Sequence, residues 1–299
     1  MESLRTPEDR FRNLPGYPYS PGYLEDLAGF EGLRLHYLDE GPEAAEHTFL
    51  CLHGQPTWSY LYRKMLPIFV AAGHRVVAPD LFGFGKSDKP TDDHLYSFDF
   101  HRVTLMELIR KLDLQRITLV AQDWGGILGL TLPMDLPGRF QRMILMNTAL
   151  TTGDQPLTQG FLEWREWCRR NPDLDVARLM SRAVKGLSKA EAEAYAAPFP
   201  DGNYKAGVRR FPELVPDHPE APGASLSRRA SRWLGSRWDG PVFLAVGVQD
   251  PVLGPPAMSA LTRAVNGCLP PLELPDVGHF VQESGEIVAR QALAAFARL

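Results

Sequence analysis

Over the first half of the chain, apolar residues fall in short runs bounded by glycine, proline and polar turns, at residues 33–37, 47–52 and 75–79. Runs this short, rich in β-branched and aliphatic side chains, predict strands. Residues 97–112 carry helical spacing instead, and strand-like runs return at 117–121 and 143–146 with a helical segment, 125–134, between them. Alternating strands and helices predict an α/β fold with a mostly parallel central sheet and helices on both faces. After about residue 150 helical patterns take over, at 157–170, 175–184 and 188–197, the last opening on Ser188 and Glu191 at capping-box spacing. A stretch containing proline and glycine, 212–223, closes this block. Strand runs at 242–246 and 272–274 then resume before a final helix over 286–299. The pattern divides the chain into a first part of the core over 1–149, an inserted helical cap over 150–224 and a second part of the core over 225–299. Such a cap is expected over the carboxyl edge of the sheet, where open α/β sheets bind their ligands.

Composition narrows the function without choosing it. At 299 residues, 44% hydrophobic and 23% charged, the chain can bury a large core unaided by disulfides or metal. A formal net charge of -4 with scattered arginines argues against nucleic acid or an anionic membrane as partner. The densest basic cluster, Arg228, Arg229 and Arg232, has the spacing of one solvated helix face. Cys51, Cys168 and Cys268 are odd in number, lie far apart and sit among apolar or helical neighbours, so neither a disulfide framework nor a zinc site is expected. The charged N-terminus lacks the apolar core of a signal peptide, and no run approaches the roughly 18 apolar residues of a membrane span. A cytoplasmic monomer without metal or cofactor is therefore expected.

The segment from Ile117 to Gly126 carries the chemistry. A strand runs directly into a helix through a turn centred on Asp123, with the small residues Ala121 and Gly125 two positions to either side. That is the pattern of a nucleophile elbow, which lifts the central side chain above the sheet. An aspartate that merely caps the following helix is the alternative. Other segments favour the elbow. His53-Gly54-Gln55-Pro56 closes an earlier strand where this fold supplies an oxyanion-hole N–H, so Gln55 and Trp124 are the expected backbone donors. Asp250 follows the strand run at 242–246 and His279 follows the last one, which puts nucleophile, acid and histidine in the order the fold requires. Gly83-Phe84-Gly85-Lys86-Ser87 is not a phosphate loop, because Asp80 stands where that motif needs glycine. It is expected instead as a turn near the active-site mouth.

An ionised carboxylate needs no base to attack, so the histidine must serve a later step. Attack by Asp123 on an sp³ carbon forms an alkyl ester, which water deprotonated by His279 can hydrolyse, with Asp250 orienting the imidazole. This selects substrates that alkylate: alkyl halides or epoxides. A departing halide needs hydrogen-bond donors, whereas an epoxide oxygen needs an acidic hydroxyl. Trp124 carries an indole N–H beside the nucleophile. At about 100° per residue, Trp164 shares the apolar face of its helix with Leu157, Phe161 and Cys168, while Trp167 lies off it. Trp164 is thus the expected second donor, with simple packing as its alternative role. Tyr195 and Tyr204 keep an epoxide reading open.

These residues together resemble the haloalkane dehalogenases, in particular the subgroup that holds halide between two tryptophans. The resemblance runs through His53-Gly-Gln-Pro-Thr-Trp, Asp80-Leu-Phe-Gly-Phe-Gly-Lys-Ser-Asp, Gln122-Asp-Trp-Gly-Gly, Met146-Asn-Thr, Tyr195-Ala-Ala-Pro-Phe-Pro, Phe211-Pro and Asp276-Val-Gly-His-Phe-Val-Gln-Glu. It implies an α/β-hydrolase fold, Asp123 as nucleophile, Asp250 as acid, His279 as base, and Trp124 with Trp164 as halide donors. Another subgroup uses an asparagine after His-Gly as the second donor; here that position is Gln55. Ile127, Phe161, Phe211, Pro212 and Val215 fall where the family lines its pocket. The implied reaction converts a small apolar haloalkane and water to a primary alcohol and halide. An epoxide hydrolase with the same nucleophile and base is the nearest rival, and a catalytically silent hydrolase-fold binding protein the rival from another class.

Overall fold

Four strands form the middle of the sheet, with side chains buried along the whole length of β4 (Thr48–Leu52), β7 (Ile117–Gln122) and β9 (Val242–Gly247) and along β8 (Phe140–Met146) except at Gln141 and Arg142. Burial on both faces is what near-continuous apolar runs demand, and parallel pairing with helices above and below supplies it. The computed structural model describes residues 2–298 and places these strands in an eight-stranded sheet of order β10-β9-β8-β7-β4-β5-β3-β2. Here β2 is Gly22–Leu24, β3 Leu35–Glu40, β5 Arg75–Pro79 and β10 Leu272–Leu274. Only β2 and β3 run antiparallel to their neighbours. A two-residue strand β1 (Ser3–Leu4) pairs separately with β6 (Lys89–Pro90).

The register brings the carboxyl ends of the central strands level. Leu52 pairs with Ala121, Gln122 with Met146, Met146 with Ala245, and Gly247 with Leu274. The loops that leave these ends therefore open at one edge, and they carry His53, Asp123, Asn147, Asp250 and, after β10, His279.

Helices α1 (Leu66–Ala71), α2 (Phe98–Lys111) and α3 (Trp124–Gly129) belong to the first part of the chain, and α9 (Pro255–Ala264) and α10 (Gly285–Phe296) to the last. Between β8 and β9 stand α4 (Gln159–Arg170), α5 (Val176–Ala183), α6 (Lys189–Ala196), α7 (Ala206–Leu214) and α8 (Ala224–Leu234). Capping side chains set their starts: Ser97 before α2, Thr158 before α4, Asp175 before α5, and the complete Ser188–Glu191 capping box before α6. No helix among the described residues is long and apolar enough to cross a membrane.

Several elements differ from the sequence reading. The strand expected at 33–37 runs from Leu35 to Glu40, paired with β5. The helix expected at 125–134 stops at Gly129, since Pro133 lacks the N–H that would continue the ladder. The expected last helix ends at Phe296, and residue 299 lies outside the described residues. Pro212, read as the start of a helix-ending stretch, sits inside α7. Its ring removes the N–H that Val208 O would accept, and the Gln55 side chain fills the gap, its Nε2 donating to Val208 O at 3.2 Å. The loop from Asp80 to Asp88, expected at the active-site mouth, is instead packed inside the fold and lines no part of the cavity above the sheet. Fully buried Asp80 accepts from Ser59 N at 2.7 Å and Lys86 N at 2.8 Å and pairs with His36 at 2.7 Å, which folds the loop inward. Of the three arginines on α8, Arg229 and Arg232 are solvated, but Arg228 is half-buried and donates to the carbonyls of Thr152 and Pro219.

Candidate active site

Asp123 occupies a backbone conformation that side chains rarely adopt, φ 50° and ψ -128°, between the end of β7 and the start of α3. Strain of this kind costs roughly 1–3 kcal/mol and persists only where the surroundings over-determine it. Here Asp123 N donates to Asn147 O at 3.1 Å, and Asp123 O accepts from Gly126 N, Ile127 N and the Thr148 hydroxyl. Close approach makes three glycines necessary. A Cβ on Gly125 would stand 1.9 Å from Leu52 O, one on Gly126 2.1 Å from the Thr148 hydroxyl, and one on Gly54 2.1 Å from Asp123 Oδ1. The Asp123 side chain makes no helix-capping bond.

Its two oxygens face different partners. Oδ1 accepts from Gln55 N at 2.9 Å, and the Trp124 N–H also favours the charged carboxylate. Oδ2 lies 3.6 Å from His279 Nε2. On the far side of the imidazole, His279 Nδ1 meets Asp250 Oδ2 at 2.8 Å. Asp250 also accepts from Asn147 Nδ2 at 2.8 Å and from Val252 N at 2.8 Å, so its buried carboxylate is fully bonded. Asn147 locks β9 against β8 as well, exchanging hydrogen bonds with Gly247 N and O. Met146-Asn-Thr by itself gives Asn147 no task; its position level with the other strand ends is the signal that identifies it.

The charges are tightly coupled. Burial raises the Asp123 carboxyl above its ordinary range, and His279 with the Trp124 and Gln55 N–H groups offsets only part of that. Burial alone would lower His279, but the carboxylates of Asp250 and then Asp123 outweigh it and raise the imidazole to about 9. Asp250 goes the other way: burial pushes it up, but His279, Val252 N and Asn147 hold it at about 2.

A cavity of about 1220 Å³ opens above the carboxylate. Asp123, Trp124, Ile127, Phe161, Trp164, Pro212, Val215 and His279 all line it. Trp164 lies flat on Trp167, with ring centroids 5.4 Å apart, and Trp167 is the exposed partner that does not reach the cavity. Phe211 is a correction. It does not line the cavity but is wholly buried behind Trp124, edge-on at 4.8 Å, and packs in turn on Phe84 and His101. Its neighbour Pro212 faces the cavity, as adjacent helical positions must diverge by about 100°. Tyr195 and Tyr204 do not line the cavity either, and the Tyr195 hydroxyl is bonded to Glu283 and Arg63. Gln55 spends its side-chain amide on Val208 O, so only its backbone N–H is turned to Asp123.

The family model of the alpha/beta hydrolase fold matches residues 47–286. A haloalkane dehalogenase of Psychrobacter cryohalolentis is 45% identical over 297 residues, which cover 97% of this chain and 96% of the relative. The chain belongs to the haloalkane dehalogenases. A second haloalkane dehalogenase, from Mycolicibacterium paratuberculosis, is 41% identical and covers 95% of this chain and 94% of its own. Among solved structures, the tetrameric haloalkane dehalogenase DpaA from Paraglaciecola agarilytica shares 50% identity at a TM-score of 0.98, over 100% of both chains. A haloalkane dehalogenase is a hydrolase acting on carbon–halide bonds, which agrees with the enzyme class and fold expected from the sequence.

The coupling of charges has a measurable sign. Asp123 raises His279 electrostatically, so Asp123→Asn should lower the imidazole's pKa below the wild-type value of about 9. NMR titration of the His279 ring in both proteins measures this, and an unchanged or higher value in the variant contradicts the arrangement.

Proposed function

We propose that Asp123 is the nucleophile, His279 the base and Asp250 its orienting acid in the hydrolysis of small apolar haloalkanes to a primary alcohol and halide. The observation that carries this reading is the division of labour between the two oxygens of Asp123. Oδ2, on the His279 side, attacks the halogen-bearing carbon as the C–X bond breaks, and the electron pair leaves with the halide. The resulting ester keeps Oδ1 as its carbonyl oxygen, already seated on Gln55 N. Water then attacks Cγ and gives a proton to His279 Nε2, while negative charge gathers on Oδ1, where Gln55 N and Trp124 N receive it. Collapse of that intermediate breaks the Cγ–Oδ2 bond, and the alcohol departs with a proton from His279.

Alkylation also prepares the base. In the resting enzyme His279 is raised to about 9 partly by the charge on Asp123. Forming the ester removes that charge, so the imidazole's affinity for a proton falls as its basic form becomes necessary.

Trp124 and Trp164 are proposed as the halide donors, because both indoles border the cavity that holds Asp123 and neither is the exposed Trp167. The epoxide reading lacks its acidic hydroxyl, since no tyrosine among the described residues lines the cavity. Residues 150–224 are proposed as the cap, and the cavity wall contributed by Phe161, Trp164, Pro212 and Val215 supports that boundary. For assembly we propose several copies in place of the expected monomer, on the strength of a near-superimposable tetrameric relative; light scattering at a single chain's mass would refute it.

Rapid mixing with a brominated alkane tests the chemistry. His279→Gln should release about one bromide per site and then stall, with the alkyl mass on the peptide containing Asp123. Asp123→Asn should release none. Trp164→Phe, which keeps the ring and loses its N–H, should slow bromide release by about 10²–10³-fold. Continuous turnover by His279→Gln, or an adduct elsewhere, overturns the assignment.

A further inference from the structure

Gln122 is the last residue of β7, one position before the nucleophile, and its amide lies against the base. Gln122 Nε2 is 2.8 Å from His279 Nε2 and 3.2 Å from His279 O. His279 Nε2 is the atom that takes the proton from water, so Gln122 contacts the base at its working nitrogen. The other end of the amide, Oε1, is fully buried and has no partner among the described residues. A buried amide oxygen without a donor is destabilising, and a site that retains one does so at the expense of stability.

We infer that Gln122 is a positioning residue whose amide holds the His279 ring and favours its neutral, basic form. Its Nε2 lies within hydrogen-bond distance of both His279 Nε2 and His279 O, and toward a neutral imidazole its two hydrogens serve both. When the ring nitrogen takes a proton from water, two N–H groups face each other, and turning the amide over would set Oε1 against His279 O. The contact thus favours return of the proton to the departing alcohol, with the ring held in plane by Asp250 on Nδ1.

The charged groups around His279 are Asp250 from the loop after β9 and Asp123 from the elbow. Glu283, from the turn after His279, is neutralised by Arg63 and Lys64. Arg182 and Lys185 border the same cavity but are exposed to solvent. Gln122 is thus the uncharged contact through which the ionisation of His279 can be tuned without a salt bridge.

The inference rests on the proposed nucleophile and base, and two variants separate it from them. Gln122→Met keeps the bulk and removes both hydrogen-bonding ends. It should leave the bromide burst within about threefold of wild type and slow hydrolysis of the ester by about 10–100-fold. Gln122→Glu keeps the shape but can only accept once ionised. It should move the ionisation that limits ester hydrolysis upward by about one pH unit or more, a shift that a purely structural role would not produce. Burst and hydrolysis are read in the same rapid-mixing experiment from pH 6 to about 10, with circular dichroism melting as the folding control. An adduct on Asp123 that forms and hydrolyses with wild-type rates and pH dependence in both variants overturns the role of Gln122 alone. So does an equal loss of both steps accompanied by a lower melting temperature. Absence of any Asp123 adduct in His279→Gln overturns the nucleophile assignment and this inference with it.

Discussion

A carboxylate buried beneath an apolar cavity is the constraint from which the rest of this site follows. Taking an ion of that size out of water costs several kcal/mol unless hydrogen bonds and opposite charge offset it. Asp123 obtains that compensation from Gln55 N, the Trp124 N–H and the imidazole of His279. Backbone packs closely around it: a Cβ on Gly54 would strike the Asp123 side chain, one on Gly125 the Leu52 carbonyl and one on Gly126 the Thr148 side chain. The compensation is partial, because the carboxyl remains above its ordinary range. A nucleophile that is charged yet poorly solvated is correspondingly reactive toward an alkylating carbon.

The positive charge that stabilises Asp123 is in turn held from behind. Asp250 is fully bonded by His279, Asn147 and Val252, and Asn147 ties the ends of β8 and β9 together. Sheet register and site geometry are therefore one structure, and a shift of a single residue between β8 and β9 would dismantle both. Helix α7 connects to the same machinery through an absence. Pro212 cannot donate to Val208 O, Gln55 does so in its place, and a helix on the cavity wall is thereby joined to the loop whose N–H bonds Asp123 Oδ1.

Much of this was legible along the chain because strand ends and tight turns are local events. β5 and β10 match their apolar runs to the residue, and the elbow was visible from Ala121 and Gly125 flanking Asp123. Trp164 and Trp167 were separated by helical geometry alone, and the structure turns the former to the cavity. What was hidden depends on distant partners. The helix that includes Pro212 forms because Gln55, far back in the sequence, accepts the task of bonding Val208 O. Phe211 reads as a pocket residue until the fold places Trp124 between it and the cavity. The loop after Asp80 reads as a turn near the active-site mouth because the sequence does not display the buried His36 and Ser59 that draw it inward. Gln122 and Asn147 lay inside recognised motifs, yet their tasks emerge only from what stands opposite them.

Isotope placement tests whether Oδ2 of Asp123 leaves in the product while Oδ1 stays bonded to Gln55 N. A single turnover with enzyme in excess, run in ¹⁸O-labelled water, should yield an alcohol containing ordinary oxygen and leave one labelled oxygen in the peptide that carries Asp123. Labelled alcohol from that first turnover, with Asp123 unlabelled, would show that water attacks the substrate directly and would contradict the account.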